Sequence, residues 1–192
     1  KVVIVGTGIH LGRPVRMNIK PAPTNHGIVF KRLDVDHNNS LIEANFKNIL
    51  SGELCTTLVN QDGISVKTVE HLLAAFSGLG ISNALVEIDN EEIPILDGSS
   101  IKFVEALIKA GICEQDESLN FCSVKKSIKV VNKNSWVKFE PADNLILTVC
   151  IDYPNTCIGK QNLSLMITKD SFQKELCDNR TFCLKNDIKN MR

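Results

Sequence analysis

The sequence predicts an α+β protein in two halves, a first unit over residues 1–117 and a second over 118–192. Three observations carry that reading. Each half presents strand-like segments first and helix-like segments after, an order that suits α+β layers rather than alternating βαβ units. A polar stretch, Glu114-Gln-Asp-Glu-Ser-Leu-Asn120, separates the halves as a linker would. And the main helix of the first half lacks the polar side of a surface helix, so it is expected to be covered on two faces. No residue-level repeat ties the halves together.

In order along the chain, residues 2–5 are an apolar run. Val15, Met17 and Ile19 then alternate with Arg16, Asn18 and Lys20, the period of a half-buried strand. Residues 27–33 and 54–59 are further strands, the second β-branched and closed by the turn Asn60-Gln-Asp-Gly63. A helix is predicted over 68–79, with Thr68 as N-cap and Gly80 as stop. Residues 83–89 read as a strand, 93–96 as a short extended piece, and Asp97-Gly98 as a turn. An amphipathic helix follows over 99–110 and ends at Gly111. Beyond the linker, 121–131, 136–140, 145–153 and 163–168 are strand-like, and 170–177 and 181–191 are helical.

Composition narrows the function. Of 192 residues 43% are hydrophobic and 23% charged, ordinary for a chain that buries a core. Twenty-two basic residues balance twenty-two acidic ones, without the basic excess of a nucleic-acid binder. The seven cysteines are single, odd in number and set mostly in apolar stretches, which suits reduced thiols in a cytoplasmic protein and no thiolate metal site. The longest apolar run, around 145–151, is too short to span a bilayer, and no signal-peptide pattern opens the chain. The chain begins with Lys1 and ends at Arg192 inside a predicted helix, so both ends are expected to be cut.

The chemistry centres on the helix over 68–79. Val69, Leu72, Leu73 and Phe76 form one apolar face at i, i+3, i+4, i+7. His71 lies nearly opposite, in line with Ala74, Ala75 and Gly78, a face small enough for close approach by another helix or a substrate. Glu70 and His71 therefore sit near a tight seam. On local sequence alone they read rather as an acid favoured by the helix dipole and a hydrogen-bonded interior histidine. The pair is not HExxH, so a catalytic zinc with its usual three protein ligands needs others from elsewhere. His26 and His37 lie in polar loops and read as surface residues. His10 lies in Gly6-Thr-Gly-Ile-His-Leu-Gly12, which fails the dinucleotide fingerprint and reads as a turn between strands; nucleotide binding there is the weakest of the functional options. Asp97-Gly98-Ser99 reads as a helix cap, and Arg180-Thr181-Phe182 carries little by itself.

Together these pieces resemble a family. Gly6-Thr-Gly-Ile-His-Leu-Gly12, Pro21-Ala-Pro23, Gly27-Ile-Val-Phe30, Cys55-Thr-Thr-Leu-Val-Asn60, Thr68-Val-Glu-His-Leu72, Gly78-Leu-Gly80, Glu92-Ile-Pro-Ile-Leu-Asp-Gly-Ser99 and Arg180-Thr-Phe182 occur in its order. The sequence is similar to the UDP-3-O-acyl-N-acetylglucosamine deacetylases, zinc enzymes of lipid A biosynthesis in Gram-negative bacteria. The resemblance runs over the whole chain and outweighs the local reading of Glu70 and His71.

It implies two similar domains, each a mainly antiparallel sheet with helices, packed helix layer to helix layer, the second incomplete here. It implies His71 as a Zn2+ ligand, Glu70 as general base, Thr181 as donor to the developing oxyanion, and Phe182 and His10 at the substrate. The implied reaction is hydrolysis of the acetamide of a UDP-linked, acylated amino sugar, releasing acetate. A monomer in the cytoplasm is implied, with at most peripheral contact at the inner face of the membrane. The family's later HKxxD motif and a further histidine do not occur after His71, so the chain reads as an N-terminal portion whose other zinc ligands lie beyond Arg192. If Arg192 were the true end, a non-catalytic binding module keeping the fold is the alternative. Lys102 stands where the family usually has proline, and Cys183-Leu184 replace a small and an aromatic residue.

Overall fold

The computed structural model describes residues 1–50, 54–119 and 121–185, apart from the side chain of residue 37. It is an α+β fold. The central sheet contains β1 (Val2–Thr7), β2 (Pro14–Pro21), β3 (Ile28–Arg32) and β4 (Leu41–Glu43). A three-stranded sheet follows from β5 (Ile49–Leu50), β6 (Thr57–Val59) and β7 (Ser65–Lys67). Helix α1 (Glu70–Leu79) leads into β8 (Ala84–Ile88), which enters the central sheet, and α2 (Ile101–Ala110) closes the first half. The central order is β1-β2-β8-β3-β4, antiparallel except where β3 runs parallel to β8.

The alternation of β2 is as expected: Val15, Met17 and Ile19 are buried while Arg16 is exposed. These side chains meet Phe30, Val86 and Ile88 from the sheet, Leu72, Phe76 and Leu79 from α1, and Phe103 and Leu107 from α2 in one core. Helix α1 ends at Gly80, which takes φ 73° and donates its N–H to the Phe76 and Ser77 carbonyls. That left-handed cap costs glycine no Cβ clash.

Several expected boundaries move. The strand expected over 54–59 is confined to β6, because Leu54 adopts φ 66° and breaks the extended chain. Thr68 does not cap α1; it takes φ 59° and turns its hydroxyl to Glu92. At α2 the capping acceptor is Ser99, whose Oγ accepts the Ile101 N–H at 3.2 Å. In the polar segment after α2, Gln115 donates to the Ala22 carbonyl and accepts from Asn83, while Thr24 and Asn25 donate to Glu117.

In the second half, β9 (Ile128–Asn132) pairs with β10 (Ser135–Phe139), and β11 (Ile146–Tyr153) with β12 (Gly159–Met166), as two antiparallel hairpins. Their apolar side chains are largely exposed, Trp136 at 57% and Val130 at 64% among them. Short helix α3 (Lys169–Ser171), capped by Thr168, widens into a π-helical turn over Phe172–Leu176. Phe172 and Cys177 join the core of the first half. The helix expected over 181–191 does not form over 181–185, where the Thr181 N–H is engaged by the Gly98 carbonyl at 2.8 Å; the remainder of that span lies outside the described residues. No helix is long and apolar enough to cross a membrane among the described residues.

Candidate active site

The start of α1 brings the two leading candidates together. Glu70 opens the helix, where the dipole favours a carboxylate. Its Oε2 accepts the Thr56 N–H at 3.1 Å, and the Val69 N–H reaches the Thr56 carbonyl at 3.4 Å, so the chain entering β6 braces the helix start. Glu70 and His71 are both half-buried. Among the described residues His71 has no hydrogen-bond or ion-pair partner, so it is not the internally bonded histidine that local sequence suggested. Its imidazole nitrogens are unpartnered among the described residues.

Immediately before the pair lies a polar knot that sequence reasoning missed. Glu92 is 2% exposed. Its Oε1 accepts the His10 N–H at 2.9 Å and the Thr68 hydroxyl at 3.2 Å, and its Oε2 accepts the Leu11 N–H at 2.8 Å. Gly8 is required because a Cβ there would overlap the Glu92 carboxyl. The glycine turn thus spends its inward N–H groups on the protein's own carboxyl, which weighs against a phosphate cradle. The flanking chain is stitched as well: the Ile93 N–H donates to the Lys67 carbonyl at 3.0 Å and the Ile95 N–H to the Thr7 carbonyl at 3.1 Å. A signal was present in the sequence, since Glu92 stands at the head of the apolar run Ile93-Pro-Ile-Leu96, where a carboxylate is out of place unless internally bonded.

A second cluster joins the two motifs that looked weakest alone. Asp97 Oδ1 accepts the Ser99 N–H at 3.2 Å and its hydroxyl at 2.9 Å, and Arg180 Nε lies 3.8 Å from Asp97 Oδ2. Burial pushes the Asp97 carboxyl up, but the Ser99 hydrogen bonds and the Arg180 charge outweigh it and hold the group below the ordinary carboxylate range. The Thr181 N–H binds Gly98, the exposed Thr181 hydroxyl has no partner among the described residues, and the Phe182 ring meets Tyr153 edge-on at 5.4 Å. No hydrogen bond joins Thr181 or Phe182 to Glu70 or His71. His10 enters the Glu92 knot through its backbone, and its half-buried ring makes no polar contact among the described residues.

Around His71 the described residues contain no group of three or more His, Cys, Asp or Glu placed to hold a metal ion. One free imidazole suits a single ligand and does not complete a centre.

Residues 1–192 match the family described as LpxC, UDP-3-O-acyl N-acetylglycosamine deacetylase. The chain is similar to the UDP-3-O-acyl-N-acetylglucosamine deacetylase of Idiomarina loihiensis, 39% identical over 189 residues, which is 97% of this chain and 61% of the relative. It is also similar to those of Shewanella violacea, 38% identical over 193 residues (100% and 63%), and Wigglesworthia glossinidia brevipalpis, 38% over 189 residues (97% and 63%). The chain therefore spans less than two thirds of the length of these relatives.

Proposed function

Because the chain belongs to the UDP-3-O-acyl N-acetylglycosamine deacetylase family, we propose that it carries the Glu70 and His71 part of a deacetylase active site of lipid A biosynthesis. The full-length protein hydrolyses the acetamide of UDP-3-O-acyl-N-acetylglucosamine and releases acetate. The observation that carries the reading is the start of α1, where a braced carboxylate stands beside an unpartnered imidazole.

The roles proposed are those the family resemblance implies, and the start of α1 supports that of Glu70. The Thr56 N–H holds Glu70 Oε2, and Oε1 has no partner among the described residues, so a proton from the attacking water passes to Glu70 as general base. The Thr181 hydroxyl donates to the developing oxyanion, a contribution of ~3 kcal/mol to the transition state. Phe182, steadied by Tyr153, and the His10 ring line the substrate. The family is zinc-dependent, and His71 would supply one ligand, the others coming from outside the described residues. Zinc in such a site lowers the pKa of water and polarises the carbonyl.

The same reading makes 1–117 and 118–192 two domains of similar build, packed helix layer to helix layer. It is supported by the strand-then-helix order of each half and by the exposed apolar side chains of β9–β12, which call for a cover. A cytoplasmic monomer with at most peripheral membrane contact fits the proposed substrate. The test is metal analysis with deacetylation kinetics on the full-length protein carrying Glu70→Gln or His71→Ala. The first variant keeps zinc and loses turnover, and the second loses zinc.

A further inference from the structure

The Glu92 carboxyl has no part in the chemistry proposed above, yet it is buried and receives three converging donors, from His10, Leu11 and Thr68. Two of these lie in the turn that carries the His10 ring. The third is the hydroxyl of a β-branched residue at φ 59°, a backbone state that is a genuine outlier for threonine. Such a conformation persists only where the surroundings over-determine it. Here the surroundings are Glu92 on the side chain and the Lys67 pairing with Glu91 and Ile93 on the backbone just before it. Glu70 and His71 follow Thr68 directly after Val69, so the direction in which α1 sets out is decided at this residue.

We propose that Glu92 is a positioning residue for Glu70 and His71: its carboxyl holds Thr68 in the left-handed conformation and clamps the His10 turn beside the helix start. Packing alone does not call for a carboxyl in this place. An apolar side chain of like volume would fill the space but leave the His10 and Leu11 N–H groups and the Thr68 hydroxyl without an acceptor. What the carboxyl adds is direction, because its two oxygens fix two backbone N–H groups and one hydroxyl in a single arrangement. Gly8 is part of the same device, since any side chain there would displace Glu92. The inference rests on the reading of Glu70 as the base.

The test uses the full-length protein with Glu92→Gln, which turns one carboxyl oxygen into an amide NH2 facing a backbone N–H. The expected result is a kcat about 10- to 100-fold lower, the scale for residues that support a site, with KM little changed. Amide hydrogen exchange is expected to quicken at residues 10, 11 and 68–71, while the rest of α1 and β8 keep their protection. A wild-type kcat, or faster exchange throughout the protein, overturns the proposal. Should Glu92→Gln fail to fold, Thr68→Val removes only the hydroxyl and is expected to show the same local exchange with a smaller loss of kcat; wild-type values in it overturn the proposal equally. Glu70→Gln measured alongside separates the two readings. An active Glu70→Gln sinks the base assignment, whereas an inactive one beside a fully active Glu92→Gln sinks the positioning role alone.

Discussion

The ring of Phe172 packs on the backbone of Gly78, so closely that a Cβ at residue 78 would overlap the ring atoms. This contact joins the helical turn of the second half to the small-residue face of α1, and Phe172 is 7% exposed there.

Gly78→Ala is therefore expected to destabilise the protein. By helix propensity alone alanine would add about 1 kcal/mol of stability. Overpacking against Phe172 costs about 1–3 kcal/mol and reverses the sign. Denaturant unfolding of Gly78→Ala, Phe172→Leu and the double variant checks this, with the alanine expected to cost less once the ring is gone.

The small face was legible in the sequence, because Ala74, Ala75 and Gly78 recur where a solvated helix would carry long polar side chains. Its outcome is mixed: Ala75 and Gly78 are buried, while Ala74 and Ser77 stay exposed. The alternation of Val15, Met17 and Ile19 and the stop at Gly80 were legible for a similar reason, being decided by neighbours within one or two turns of chain. Thr68 was not. Its capping preference is a local rule, and Glu92, 24 residues on, outcompetes the helix N–H groups for the hydroxyl. Residues 181–185 are likewise not helical, and there the Thr181 N–H is held by the Gly98 carbonyl, a contact from 83 residues back. At the site, the pairing of Glu70 and His71 was visible as a neighbouring acid and imidazole. The docking of Arg180 and Thr181 on the Asp97-Gly98 turn depends on contacts that no spacing encodes.

Thr181→Val in the full-length protein removes the free hydroxyl and keeps the N–H to Gly98. Its kcat is expected to fall by about 100-fold, the scale of one oxyanion donor, with thermal stability unchanged. Steady-state kinetics and a melting curve check the two halves of that statement. A matching loss of stability would assign the residue to the fold instead.

Asp34 ties acid stability to the first half. Arg32, 7% exposed, meets it through Nε–Oδ1 at 2.7 Å and Nη2–Oδ2 at 2.8 Å and donates to the Ser65 carbonyl at 2.5 Å. The Arg32 hydrogen bond, against the opposing pull of burial, holds the Asp34 carboxyl below its ordinary 3.8. A depressed carboxylate stabilises the folded state above the unfolded value and ceases to do so as pH falls through the folded one. The melting-temperature advantage of wild type over Asp34→Asn is thus expected to be level at neutral pH and to shrink as pH drops below 3.8. An advantage that persists under acid would place the stabilisation elsewhere.

Zinc content and deacetylation rate of the full-length Glu70→Gln protein, measured together, test most directly whether Glu70 is the base beside a metal-holding His71. Removing a general base lowers turnover by about 100- to 10,000-fold. The expected result is a full complement of zinc with a rate reduced on that scale. Near-normal turnover with zinc in place would contradict it.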